Sequence, residues 1–243
     1  GLIVLDPESD CSFLVHGDID LVLVACTAAE EDGGEFGCEA AAENGEAAIQ
    51  VDSNSDCAAC ANGTAVHIEA PTLNIVGEDP GLCLDGSPDL DIPQINTDMP
   101  YIPDPLAGVP EPTQPSPDLG KIKGNSGYFP PGYYAGGIDQ QGNNVLCLGP
   151  EAYTCPPPAN FEPDFSTDEP AIYYLKGAGL QNNGIAKLYA YQVMFFVKEG
   201  PVKLNGTGVQ VIIPADIDTG GQYGGISIFQ ARDNTTPAVI NGT

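Results

Sequence analysis

Cations are scarce in this sequence: its 243 residues include 7 Lys and Arg against 34 Asp and Glu, a formal net charge of −27. No Lys or Arg precedes Lys121, so the first 120 residues carry carboxylates without a side-chain cation to pair them. Binding to nucleic acid or to an anionic membrane surface requires a basic patch, which seven cations cannot build. We therefore exclude nucleic acid as a partner.

The sequence also lacks a long apolar run. No stretch approaches the ~20 apolar residues that a membrane helix requires, and the run from Leu2 to Leu5 is too short for a signal peptide. Because the chain begins at Gly1, we expect any leader or anchor to be absent from this sequence and this segment not to insert into a membrane. Apolar residues make up 42% of the chain, which is enough to build a folded core.

Helix signals are scarce as well. Gly, Pro, Asn and Asp recur every few residues, and apolar residues alternate over short runs instead of repeating every three or four. Alternating runs predict strands at 18–24, 66–70, 144–148, 193–197 and 208–213. The sequence therefore predicts an all-β chain.

Turn glycines and their neighbours recur at regular intervals. Gly184 and Gly206 are 22 residues apart, and Gly17 and Gly63 are 46 apart. Two longer matches support these intervals: Asp6, Ser9, Asp10 and Cys11 recur 46 residues later as Asp52, Ser55, Asp56 and Cys57, and 137–142 recurs 42 residues later as 179–184. Such repeats predict a solenoid, here a parallel β-helix in which corners stack and inward side chains form ladders. A β-sandwich, whose hairpins could produce the same turns, is the alternative.

Proline divides the predicted solenoid. Nine prolines between Pro88 and Pro117 favour an extended linker, because proline cannot donate a hydrogen bond to a ladder. We predict N-terminal coils over 1–87 with an acidic insertion at 28–46, a Pro-rich linker over 88–120, and C-terminal coils over 121–243 with an insertion at 150–170. The linker either joins the two β blocks or packs along the outside of the column.

Eight cysteines, with few cations near them to stabilise a thiolate, indicate an oxidising compartment and disulfides. Cys147 and Cys155 are placed to close a short loop. Cys57 and Cys60 have the spacing of a zinc knuckle or a redox pair, but no second Cys-x-x-Cys follows and no helix begins there, so disulfides are favoured. The six cysteines of the N-terminal half, which allow 15 connectivities, are Cys11, Cys26, Cys38, Cys57, Cys60 and Cys83.

Paired carboxylates are the candidate metal ligands. Residues two apart on a strand face the same side, so Asp216 with Asp218 and Asp18 with Asp20 each present two carboxylates together. Calcium is the ion that such pairs would hold, although no EF-hand spacing occurs. With Arg232 as the obvious cation and no placed acid or base, the pairs are more typical of a solvated face than of a lyase or hydrolase. We expect no other cofactor.

Four Asn-x-Thr sequons could accept glycans in an extracellular protein. Three of them coincide with an Asn-Gly-Thr turn that the predicted fold already requires, so turn chemistry explains them without sugar. The four asparagines are Asn62, Asn205, Asn234 and Asn241.

Six segments, taken in order, carry a resemblance to a known family. They are 1–7 (GLIVLDP), 103–107 (PDPLA), 131–138 (PGYYAGGI), 172–180 (IYYLKGAGL), 205–209 (NGTGV) and 223–232 (YGGISIFQAR). In this order they resemble the C-terminal extracellular region of TadG-like, Flp pilus-assembly-associated proteins of planctomycete-type bacteria. The acidic run 30–46 and the insertion 156–170 depart from that family. The resemblance implies a right-handed parallel β-helix displayed outside the cell, without an assigned enzymatic activity.

Together these features predict a non-enzymatic, extracellular or cell-surface structural or adhesive protein, a subunit of a surface filament or pilus-associated layer. The expected partners are further copies of the chain or other filament subunits, with glycans as another class. The alternatives are a carbohydrate-active β-helix enzyme and a calcium-dependent glycan-binding module.

Overall fold

The chain is all-β, as the sequence predicts, and its described residues include a 3-10 turn at Gly221–Tyr223. A computed structural model describes residues 2–4, 8, 10–22, 24–26, 38–40, 48–78, 81–104, 106–159, 161–205, 208–236 and 238–241, and gives only the backbone for 2–4, 17–22, 24–26, 38–40, 48, 240 and 241. Within these residues, no helix is long and apolar enough to cross a membrane.

The described residues contain twenty-three strands, and each predicted strand overlaps at least one of them. In chain order they are β1 Leu2–Val4, β2 Phe13–Val22, β3 Val24–Cys26, β4 Cys38–Ala40, β5 Ala48–Val51, β6 Ala59–Glu69, β7 Thr72–Ile75, β8 Leu82–Gly86, β9 Asp89–Asp91, β10 Gln94–Asn96, β11 Lys121–Lys123, β12 Gly127–Phe129, β13 Gly132–Tyr134, β14 Gly137–Gln140, β15 Val145–Leu148, β16 Ala171–Leu175, β17 Leu180–Asn182, β18 Lys187–Tyr191, β19 Val193–Val197, β20 Val202–Asn205, β21 Gln210–Ile213, β22 Ile228–Gln230 and β23 Val239–Asn241.

The chain divides into two compact units. The N-terminal unit comprises residues 1–105 and 240–243, and the C-terminal unit comprises residues 106–239. The predicted linker 88–120 therefore contains the boundary between them. Its first part differs from the prediction, because β9 and β10 pair in parallel with β6 and β7. Both strands lie between the prolines, so no proline has to donate to a ladder.

In the N-terminal unit, two parallel ladders account for most strands. One runs β1-β5-β7-β10, and the other joins β2, β6 and β8, with β23 on the far side of β2. Phe13 pairs with Ala59, which confirms the repeat interval of 46 residues. Among the described strands of this unit, β3 and β4 pair antiparallel.

In the C-terminal unit, strands form three parallel ladders: β11-β14-β17-β20, β12-β15-β18-β21 and β13-β16-β19-β22. Successive strands of the chain lie in different ladders, and every third strand returns to the same one. Ile138 pairs with Leu180, and Leu180 with Val202, so the intervals of 42 and 22 residues are confirmed by register. Parallel pairing of this kind differs from the antiparallel pairing of the sandwich alternative.

Inward side chains of the C-terminal unit form a continuous apolar core. Tyr134 stacks on Tyr173 with ring centroids 6.2 Å apart, and Tyr173 lies 5.8 Å from Phe195. Tyr173 and Phe195 are fully buried, as are their aliphatic neighbours on the other two ladders. Burying each large apolar side chain contributes about 1.5–3 kcal/mol, so this core contributes strongly to the stability of the unit.

Two predicted corners are instead bends inside strands. Gly17 lies within β2 and Gly63 within β6, and the register between these strands shifts at this point. Gly63 has φ 143, a conformation that lets the strand bend while its ladder continues. The Asn-Gly signal therefore reports a backbone bend here and not the end of a strand.

Part of the proline-rich segment packs along the C-terminal unit, one of the two placements that the sequence allowed. Leu106 and Val109 contact an apolar cluster that includes Phe229. The Tyr223 hydroxyl donates to the carbonyl of Pro110 at 3.1 Å. Proline-rich chain can therefore contribute to the core without joining a ladder.

The insertion 150–170 contains no strand among its described residues, but it is anchored at several points. The Tyr153 ring stacks on Phe161 at 5.0 Å and meets Tyr191 edge-on at 5.6 Å. The Tyr153 hydroxyl lies 2.7 Å from the Tyr189 carbonyl, and burial raises the pKa of this phenol. Aromatic packing therefore holds the insertion against the strands of the C-terminal unit.

Candidate functional site: the cysteine corner of the N-terminal unit

Four cysteines meet at one corner of the N-terminal unit. Cys60 and Cys83 occupy paired positions of β6 and β8, so the parallel register places them side by side. Cys11 precedes β2 and Cys57 precedes β6, and the Cys11 N–H donates to the Cys57 carbonyl at 2.7 Å. We call Cys11, Cys57, Cys60 and Cys83 the cysteine quartet.

The quartet forms two disulfides. Cys11 bonds Cys60 with a Cα–Cα distance of 5.0 Å, and Cys57 bonds Cys83 with a distance of 5.3 Å. The two bridges touch, since the sulfurs of Cys57 and Cys60 are 3.7 Å apart. Cys60 is 2% exposed, and the other three are partly buried. Disulfide formation is thus confirmed for these four, and the Cys-x-x-Cys spacing turns out to place its two sulfurs in different bridges.

The remaining cysteines fall into two pairs. Cys147 and Cys155 form a disulfide in the C-terminal unit, as the sequence predicts. Cys26 and Cys38 occupy opposite positions of the antiparallel strands β3 and β4, but their side chains lie outside the described residues. Their predicted participation in disulfides stays a prediction.

Asp52, which lies close to Cys57 in the sequence, is a buried carboxylate that the residue pattern did not predict. Asp52 is 1% exposed, and its Oδ1 accepts a hydrogen bond from the Gln50 side-chain amide at 2.7 Å. Among the described residues, Asp52 Oδ2 and Gln50 Oε1 have no hydrogen-bond partner. Burying a carboxylate costs free energy unless its oxygens are hydrogen-bonded or paired. The repeat of Asp6 as Asp52 was the available signal, but it carried no information on burial.

Asp216 and Asp218 do not lie on a strand, contrary to the prediction. Strand β21 ends at Ile213, and Pro214 follows it. Asp216 Oδ1 accepts hydrogen bonds from the N–H groups of Asp218 and Thr219, at 2.8 and 3.0 Å. These bonds hold the pKa of the Asp216 carboxyl below its usual value. The Asp216 carboxylate therefore closes a turn.

Asp18 and Asp20 do lie on a strand, β2, where their backbones pair with Ala65 and His67. Their side chains are outside the described residues, so the predicted calcium site on this pair stays a prediction. The two predicted aspartate pairs belong to different units, Asp18 and Asp20 to the N-terminal one and Asp216 and Asp218 to the C-terminal one.

Two of the four sequon asparagines use their amides within the protein. Asn205 donates to the side-chain oxygen of Asn183 at 2.9 Å. Asn234 donates to the carbonyls of Val197 and Gly200, at 3.2 and 2.9 Å. Asn62 is partly exposed, and the side chain of Asn241 lies outside the described residues. Structural roles therefore account for Asn205 and Asn234.

Arg232, the cation considered for a lyase or hydrolase, takes part in packing. Its guanidinium donates to the carbonyls of Leu106 and Val109 and lies 5.2 Å from the centre of the Phe229 ring. Its backbone N–H donates to Glu111 at 3.1 Å. These contacts attach the segment around Val109 to the C-terminal unit.

Comparison of the chain with protein-family models, with curated proteins and with solved structures finds no match. The resemblance to TadG-like proteins stays a prediction.

Proposed function

We propose that this chain is a non-enzymatic extracellular protein with a structural or adhesive role, built as a right-handed parallel β-helix. It would act as a subunit of a surface filament or pilus-associated layer, with further copies of itself or other subunits as partners.

The observation that carries the proposal is the order of the ladders in the C-terminal unit. Three consecutive strands enter three different ladders, and the next three repeat that order. A chain that winds around a column produces this order, since each turn adds one strand to every face. Ladders of this kind have end strands that can accept another strand, which is the physical basis for growth by stacking.

Disulfides support a location outside the cell. Three bridges join cysteines at sequence separations of 49, 26 and 8 residues. Bridges of this kind persist in oxidising compartments and are rare in the reducing cytosol. In an extracellular setting the large excess of carboxylates would keep the protein soluble.

The end strands of the C-terminal unit support self-association. Among the described strands, β21 is the last of its ladder. Ile213, at its end, and Val209, just before it, are 46% and 47% exposed. An end strand with exposed apolar side chains is a template for pairing with another chain. Mutual repulsion at a net charge of −27 opposes this pairing, so added salt should favour assembly.

Electron microscopy and sedimentation of the purified chain, at rising protein concentration and at low and high salt, test the proposal. We expect filaments or larger species that increase with both variables. Ile213→Lys should suppress them, because it places a charge on the end strand.

Ile185→Lys is the matched control, since Ile185 is 56% exposed and lies outside the strands. It should assemble as the unmodified chain does. Monodisperse monomers under all conditions would contradict the filament role, and polysaccharide cleavage that is lost in Asp216→Ala would favour the enzyme alternative instead.

A further inference from the structure

We propose that the cysteine quartet, when reduced, is a four-thiolate site for one divalent metal ion of the zinc class. Cys11, Cys57, Cys60 and Cys83 would each supply one sulfur. The site would be a second state of the same corner, alternative to its two disulfides.

The positions of the sulfurs carry this inference. In a tetrahedral zinc site with zinc–sulfur bonds of about 2.3 Å, neighbouring sulfurs lie about 3.8 Å apart. Cys57 and Cys60 already have their sulfurs 3.7 Å apart without a bond between them. The sulfurs of Cys11, Cys57 and Cys60 all lie within 4.8 Å of one another, and Cys83 is bonded to Cys57. All four can therefore reach one ion.

The backbone would not have to move far to admit the ion. Cα–Cα distances of 5.0 and 5.3 Å within the bridges leave room for each sulfur pair to separate by side-chain rotation. The paired positions of Cys60 and Cys83, and the hydrogen bond between Cys11 and Cys57, hold the four Cα atoms in place independently of the disulfides. Ladder hydrogen bonds thus preorganise the reduced site.

The chemistry balances with a phosphine as reductant. Each disulfide reacts with one phosphine and one water to give two thiols and one phosphine oxide, so the quartet consumes two of each. The metal ion then replaces the four thiol protons and leaves a complex with two negative charges. No Lys or Arg occurs in the N-terminal unit, so the ion itself supplies the positive charge that stabilises these thiolates.

Cobalt(II) is a suitable probe, because tetrahedral cobalt–thiolate sites absorb strongly in the near ultraviolet and visible. The full chain is reduced with a phosphine under anaerobic conditions and titrated with cobalt(II), with circular dichroism to follow its strand content. We expect one tightly bound cobalt with the spectrum of four thiolates, displaced by zinc. Cys60→Ser and Cys83→Ser should each weaken cobalt binding by at least about tenfold. Loss of a group that only orients a ligand already weakens metal affinity by about 10–100-fold, and loss of the ligand itself should weaken it at least as much.

The variant Cys147→Ser, in which the C-terminal unit retains one cysteine, is the matched control, together with Cys26→Ser. Both should keep the cobalt spectrum and affinity of the unmodified chain. The proposal is overturned if the reduced chain shows no thiolate–cobalt absorption, or if Cys60→Ser and Cys83→Ser bind as tightly as the controls. It also fails if reduction abolishes the strand signal and metal does not restore it.

Discussion

Two glycines of the C-terminal unit share a positive backbone φ but differ in their surroundings, which makes them a sharp test of how closely the parallel strands pack. Gly137 and Gly142 both have φ 69. A Cβ on Gly137 would lie 2.5 Å from the Lys176 carbonyl oxygen and 2.6 Å from that of Gly179. A Cβ on Gly142 would meet nothing closer than the Asn144 side chain at 3.9 Å.

The expected costs follow from these distances. An alanine in the left-handed region destabilises the folded state by about 1–2 kcal/mol. Alanine also lowers the conformational entropy of the unfolded chain relative to glycine, which offsets about 0.4–1 kcal/mol of that loss. Gly142→Ala should therefore lower the free energy of unfolding by about 1 kcal/mol. Gly137→Ala adds overpacking of about 1–3 kcal/mol and weakens the hydrogen bond from Ile138 to the Gly179 carbonyl, a further ~1 kcal/mol.

Urea unfolding followed by tyrosine fluorescence measures the difference. Nine of the ten tyrosines lie in the C-terminal unit and the chain has no tryptophan, so the signal reports on that unit. We expect Gly137→Ala to be less stable than Gly142→Ala by roughly 2–4 kcal/mol. Equal losses in the two variants would show that strand spacing at Gly137 is looser than described and would refute the reasoning.

Three further perturbations test other contacts of the C-terminal unit. A hydrogen bond from Lys121 holds the pKa of the Asp139 carboxyl below its usual value, so this pair contributes stability at neutral pH that is lost as the pH falls below 3.8. Asp139→Asn should therefore be less stable than the unmodified chain at neutral pH, with the two unfolding curves converging in acid. Tyr173→Phe removes the buried hydroxyl that donates to the Phe129 carbonyl at 2.7 Å. Urea unfolding should show that the free energy of unfolding falls by about 1–3 kcal/mol, and no change would mean that water replaces the hydrogen bond. Cys155→Ser removes the disulfide to Cys147, which closes a loop of 8 residues, and thermal unfolding should show a loss of about 2–3 kcal/mol in stability. An unchanged melting temperature would mean that aromatic packing alone holds the insertion.

Periodicity predicted the arrangement of strands better than it predicted their limits. The intervals of 46, 42 and 22 residues reappear in the register, because stacked strands repeat both their inward residues and their bends. Gly63 was misread because an Asn-Gly pair signals a positive φ but does not say whether a ladder continues through it. Asp216 was wrongly predicted to lie on a strand. Its side chain accepts a hydrogen bond from the backbone two residues later and so favours a turn over extended structure, which an alternating residue pattern does not show.

The candidate site was less accessible from the sequence. Composition predicted disulfides, but the pairing of Cys11 with Cys60 depends on the parallel pairing of β2 with β6, which joins segments distant in the chain. The same holds for the burial of Asp52, which directly follows β5 in the chain. Local patterns record residue types, whereas both features depend on neighbours distant in the chain.

The pairing of β23 with β2 has a consequence for the order in which the protein is made. Val15 pairs with Ile240, so a strand near the start of the chain waits for one synthesised more than two hundred residues later. Until then, one side of β2 offers unsatisfied N–H and carbonyl groups to any extended segment nearby. Strand β23 of a neighbouring copy would satisfy the same edge, and reciprocal exchange of β23 would give a dimer.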